Sequence, residues 1–90
     1  MKITGNIQFL KGVEWASLEQ IFLCRNEIQS IDILDTFQNL LVIDASNNYI
    51  EGVNLSLPLL RSLDLMNNYL GTFPKLRNMK NLKNLNLTSN

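Results

Sequence analysis

Ninety residues with a formal net charge of zero and 46% apolar side chains describe one small domain with a modest core. That balance excludes a disordered tail, gives no overall attraction to nucleic acid or a membrane surface, and leaves no apolar run of the roughly 18 residues that a bilayer span needs. The absence of histidine and the single cysteine, Cys24, remove the commonest general base, the commonest metal ligand and any internal disulfide framework.

The chain opens with Met1–Leu10, where Thr4, Asn6 and Gln8 interrupt what would otherwise be the apolar stretch of a signal peptide. Ile3 sits in strand phase, and Ile7 to Trp15 reads as an irregular return, so residues 1–17 are expected to form a partial repeat. Repeats starting at Leu18, Leu40, Leu60 and Leu82 follow, the last cut short at Asn90, within a single domain over residues 1–90. The first reads Leu18-x-x-Ile21-x-Leu23-x-x-Asn26-x-Ile28, and the second Leu40-x-x-Ile43-x-Ala45-x-x-Asn48-x-Ile50. The third runs from Leu60 through Leu63, Leu65 and Asn68 to Leu70, and the fourth from Leu82 through Leu85 and Leu87 to Asn90. The four asparagines step by 22, 20 and 22 residues. Seventeen leucines and thirteen asparagines are more Asn than an ordinary globule uses, because Asn favours neither helix nor strand.

Each x-L-x-L-x core alternates apolar and polar residues, which predicts a short strand with one buried face. The chain must then turn and come back to begin the next strand. A buried Asn amide, with two donors and an acceptor, can bridge the backbone groups that such a turn leaves unpaired. Asn48→Ala is therefore expected to destabilise by about 1–3 kcal/mol. Its neighbour Asn47 is expected to be exposed and dispensable. In the returns an apolar residue recurs at every third place: Ile28, Ile31, Leu34, Phe37, Leu40 and Ile43, then Leu70, Phe73, Leu76, Met79, Leu82 and Leu85. A period of three, with Pro58 and Pro74 nearby, suits 3₁₀ or extended backbone with one buried edge better than a long α-helix.

These motifs resemble the leucine-rich-repeat family over residues 13–90. The period of about 22 residues resembles the class typified by the nuclear protein-phosphatase-1 regulatory subunit, which includes ciliary, dynein-associated and spliceosomal members. Internalin-type bacterial repeats share the period, and Leu70-Gly71-Thr72-Phe73-Pro74 is faintly similar to plant repeats. The resemblance implies an α/β right-handed solenoid, with short parallel strands on a concave face and irregular or 3₁₀ returns on the convex face. It also implies a non-catalytic scaffold or adaptor that binds another protein through the concave sheet.

On such a sheet the residues between the leucines form outward columns, Phe22, Asp44, Asp64, Asn86 and Cys24, Ser46, Met66, Thr88. Tyr49 and Tyr69 each follow a ladder asparagine. Phe22, Asp44, Tyr49, Asp64, Met66 and Tyr69 are thus the candidate partner-binding residues, since aromatic and Met side chains on a rigid surface are typical anchors. The facing acids Asp44 and Asp64 read either as a site for a basic partner residue or as two solvated carboxylates. The tyrosines read either as interface or as ordinary core contacts. Lys75, Arg77, Lys80 and Lys83 make a basic group on a return, away from that sheet, without the interleaved aromatics of a nucleic-acid surface. No catalytic, cofactor or metal-binding motif is present, and no small-molecule substrate is expected. Asn54-Leu-Ser56 and Asn86-Leu-Thr88 match the glycosylation sequon, but a glycan on Asn86 would block the sheet, so an intracellular setting is favoured. The alternatives are a structural subunit of a ciliary or ribonucleoprotein assembly, and the recognition part of a secreted or cell-surface receptor. The ends read either as those of a fragment of a longer solenoid or as those of a short chain covered by other subunits.

Overall fold

The computed structural model describes residues 7–10, 12 and 15–90. The strand phase at Ile3 and the ladder position at Asn6 lie outside the described residues. Among the described residues six short strands follow in chain order: β1 (Gln20–Phe22), β2 (Val42–Asp44), β3 (Asn54–Leu55), β4 (Ser62–Asp64), β5 (Lys75–Leu76) and β6 (Asn84–Asn86). Two 3₁₀ helices accompany them, η1 (Ile7–Leu10) and η2 (Asp32–Thr36). The result is a small mixed α/β-like fold with a radius of gyration of 11.8 Å.

The alternating segments become the larger sheet. It is parallel, in the order β1-β2-β4-β6, with Ile21 opposite Ile43, Ile43 opposite Leu63 and Leu63 opposite Leu85. Alternation sends Ile21, Leu23, Ile43, Ala45, Leu63 and Leu65 into the core, while Phe22, Asp44 and Asp64 stay half-buried on the opposite face. Backbone bonds extend this pairing past the strands. Arg25 N–H donates to Ser46 O, and Asn47 and Asn67 N–H donate to Met66 O and Thr88 O.

The asparagines close each turn as the spacing requires. Asn48 Nδ2 donates to Leu23, Ala45 and Ser46 carbonyls, each at 3.0 Å. Its Oδ1 accepts from Asn26 and Ile28 N–H at 3.1 and 3.2 Å. Asn68 repeats the arrangement one step on, donating to Ala45, Leu65 and Met66 and accepting from Ile50 N–H. Asn90 donates to Leu65, Leu87 and Thr88 and accepts from Leu70 N–H. Each amide therefore ties its own turn to the one before it.

The residue ahead of each ladder asparagine is left-handed: Arg25, Asn47, Asn67 and Ser89 have φ of 59°, 58°, 56° and 60°. Only a left-handed residue reverses the chain sharply enough to swing the following amide inward, and Asn tolerates that region better than most side chains. Asn47 is thus not fully exposed, contrary to the sequence expectation. It is half-buried, and its Oδ1 accepts from Asn67 Nδ2 at 2.9 Å.

The first return follows its threefold period, with Ile28, Ile31, Leu34, Phe37, Leu40 and Ile43 all buried. Asp32 and Asp35 at η2 reach across to the next return, their Oδ1 atoms accepting from Asn54 N–H at 2.9 Å and Ser56 N–H at 2.6 Å. Asn39 Nδ2 donates to Ala16 O, and Asn81 Nδ2 to Pro58 O, tying neighbouring returns a second time. The later returns are not merely irregular, since β3 and β5 pair in parallel with Asn54 opposite Lys75 and Leu55 opposite Leu76.

In the third return the period of three is interrupted at Phe73, while Leu70, Leu76, Met79, Leu82 and Leu85 still pack against the core. That register sets buried Pro74 level with buried Val53, one residue later than counting from the ladder asparagine suggests. The extra residue turns Phe73 outward, and it is 70% exposed instead of joining the core.

The ladder gives a direct test. Asn48→Ala frees five bonded backbone groups and should destabilise by about 3 kcal/mol or more, the top of the range for one stranded amide. Asn90→Ala, with water at hand, should lose about 1 kcal/mol or less. At the left-handed site Asn47→Val should cost about 1–2 kcal/mol and Asn47→Gly only a few tenths. Urea melts of the four variants measure all of these, and equal losses for Asn48→Ala and Asn90→Ala would contradict a buried ladder.

Candidate protein-binding surface

The residues singled out from the sequence fall into two groups. Strand register places Phe22 opposite Asp44, Asp44 opposite Asp64, and Asp64 opposite Asn86, so the expected row exists on the outward face of the larger sheet. Met66 stands two residues beyond Asp64 and is half-buried. Its neighbour in the second row, Ser46, is only 5% exposed and offers little to a partner.

The acids in the row have a local duty. Asp44 Oδ1 accepts from Ser46 N–H at 3.1 Å and from Ser46 Oγ at 2.8 Å. Asp64 Oδ1 accepts from Met66 N–H, and Asn86 Oδ1 from Thr88 N–H, both at 3.0 Å. A short side-chain acceptor that bonds the amide two residues on bends the chain out of the strand. One oxygen of each carboxylate is therefore committed to the turn, which accounts for two aspartates facing each other at this position. Sequence reading missed this role, although the Asp, Asp, Asn column carries the signal: all three supply the same oxygen.

Tyr49 and Tyr69 lie past the ladder, not in the strands. Their rings stack at 5.8 Å between centroids and 29° between planes, and they are 47% and 63% exposed. Gln29 and Glu51 line the same cleft. A separate cleft at Asp64 is bounded by Ser62, Asn84, Asn86 and Lys83. The two clefts share no residue. Lys83 also departs from expectation. It borders the strand-face cleft because its N–H is bonded to Arg61 O at the start of the β4–β6 pairing. Lys75, Arg77 and Lys80 are exposed on the return side, and Arg77 Nη2 donates to Asn54 Oδ1 at 2.9 Å.

Cys24 is half-buried as a free thiol. Among the described residues no group of three His, Cys, Asp or Glu side chains is placed to hold a metal ion, and no helix is long and apolar enough to cross a membrane. Compared with family models, curated proteins and solved structures, the chain finds no match in any of the three. What its surface does therefore has to be argued from its own residues.

The turn role of the acids separates charge from structure. Asp64→Asn keeps the acceptor and should change stability by less than about 0.5 kcal/mol, whereas Asp64→Ala should lose about 1 kcal/mol. Thermal or urea denaturation of both variants decides it, and equal losses would remove the turn from the explanation.

Proposed function

We propose that this chain is a leucine-rich-repeat solenoid of the 22-residue class, acting as a non-catalytic scaffold that binds another protein through the outward row of its larger sheet. The observation that carries the reading is the register of Phe22, Asp44, Asp64 and Asn86 across four parallel strands. The amide ladder and the buried leucines hold the strands, which leaves the row between them free to vary in chemistry. A rigid row of side chains loses little conformational entropy on binding, and that makes a stiff sheet a good docking surface. An aromatic at one end and carboxylates beside it offer an apolar anchor with a charged flank.

A second reading has its own support. Leu70, Leu76, Met79, Leu82, Leu85 and Leu87 are only half-buried, while their counterparts one repeat earlier, such as Leu60, Leu63 and Leu65, are closed to solvent. Among the described residues β6 also has a strand on one side only. Half-covered apolar side chains beside an open strand edge are closed by a further strand, whether from a continuation of this chain or from a neighbouring subunit.

The test is a pull-down and titration against the partner captured by the full protein, with each variant's fold followed by circular dichroism. Asp64→Asn and Phe22→Ala should each weaken the complex by about 1 kcal/mol or more while leaving the spectrum unchanged. Lys80→Glu on the return side should do little. Lys83 is unsuitable as a control because it borders the strand face. Loss of binding through Leu85→Lys, with Asp64→Asn silent, would instead favour the assembly subunit.

A further inference from the structure

Tyr49 and Tyr69 have no evident work in the core. The buried positions beside them are filled by Ile28 and Ile50, and the tyrosine backbone N–H groups are satisfied by Ile28 O and Ile50 O, each at 2.9 Å. Two large rings are left stacked on each other in solvent, lining a cleft of about 380 Å³ with Gln29 and Glu51. Glu51 is exposed and makes no ion pair or hydrogen bond among the described residues. The same holds for Glu27, which follows Asn26 just as Tyr49 follows Asn48. The cleft thus joins flat aromatic faces to one carboxylate, Glu51, that nothing among the described residues neutralises.

We propose that this cleft is a subsite for an arginine side chain carried by a protein partner. The inference rests on the reading of the chain as a protein-binding module, though not on the strand row. An aromatic ring presents a negative face that attracts a cation, and a planar guanidinium can lie flat along it. The same guanidinium offers parallel N–H donors that fit the Glu51 carboxylate, and the Gln29 carboxamide oxygen accepts a further one. Lysine fits less well, because its compact ammonium is strongly hydrated and cannot stack. The strand-row acids are poorer competitors. Asp44 and Asp64 each hold a turn hydrogen bond already, and Lys83 borders the cleft at Asp64.

The experiment titrates the 90-residue chain with capped Gly-Arg-Gly, following the tyrosine ring signals by NMR, with Gly-Lys-Gly and Gly-Leu-Gly in parallel. Saturable shifts of both tyrosines by the arginine peptide are expected, in the millimolar range proper to a single exposed side chain. Glu51→Gln and Tyr69→Leu should weaken them about fivefold or more, since each removes one of the two attractions. Tyr69→Phe, which keeps the ring, should stay within about twofold. Equal binding of the lysine peptide would overturn the assignment to arginine. Shifts confined to Asp44 and Asp64, untouched by Glu51→Gln, would overturn the cleft while leaving protein binding by the strand row standing. Absence of saturation with all three peptides would overturn the subsite, and the variants of Phe22 and Asp64 would then judge the protein-binding reading by themselves.

Discussion

The larger sheet depends on the asparagine amide that follows each of its strands, buried at Asn48 and Asn68. A short parallel strand satisfies its backbone along the sheet, but the turn that follows points carbonyls and N–H groups inward where no strand can meet them. One amide serves five of them at Asn48, some in its own turn and some in the turn before. A leucine cannot substitute, because it carries no polar atoms, and an aspartate would bring acceptors without donors. The requirement that each amide touch two turns at once fixes the separation of the turns, and with it the strand register. It also forces a left-handed residue immediately before it, which is why Asn-Asn doublets stand at 47–48 and 67–68.

With the ladder fixed, the returns have more freedom. The steps between ladder asparagines differ by two residues, yet the larger sheet keeps its register throughout. The difference is absorbed on the far side, by a 3₁₀ turn in one return and by the β3–β5 pair in the next two. The aspartates of η2 and the amides of Asn39 and Asn81 then link neighbouring returns, so that both sides of the fold are tied by side chains to backbone. Phe73 shows the consequence of an unmatched insertion. A single extra residue rotates its side chain out of a row in which hydropathy alone would have placed it.

The surface residues divide along the same lines. Positions between the buried leucines are free in their apolar or polar character but not wholly free in their chemistry, because an oxygen at Asp44, Asp64 and Asn86 helps to turn the chain. On the proposed reading, binding and folding share those side chains. Tyr49 and Tyr69 lie beyond the ladder, where no backbone group requires them, and their rings face each other and the solvent. The two surfaces differ in kind. The first consists of structural residues with spare valence, the second of residues with no structural duty.

The sequence by itself determined the four strands of the larger sheet and the asparagine ladder, because these depend on spacing, and spacing is written in the chain. Leu63 must lie beside Ile43 once Asn68 and Asn48 do the same work. The outward row followed from alternation alone. What only the tertiary structure decided depends on contacts between residues about 20 apart whose alignment shifts when a return gains or loses a residue. The exposure of Phe73, the bonds from Asp32 and Asp35 to the next return, and the placing of Lys83 beside Asp64 are of this kind. So is the cleft of Gln29, Tyr49, Glu51 and Tyr69, which draws on two successive turns and one residue from a third. Its sides are assembled by the stacking of turns, and no local pattern of residue types encodes that.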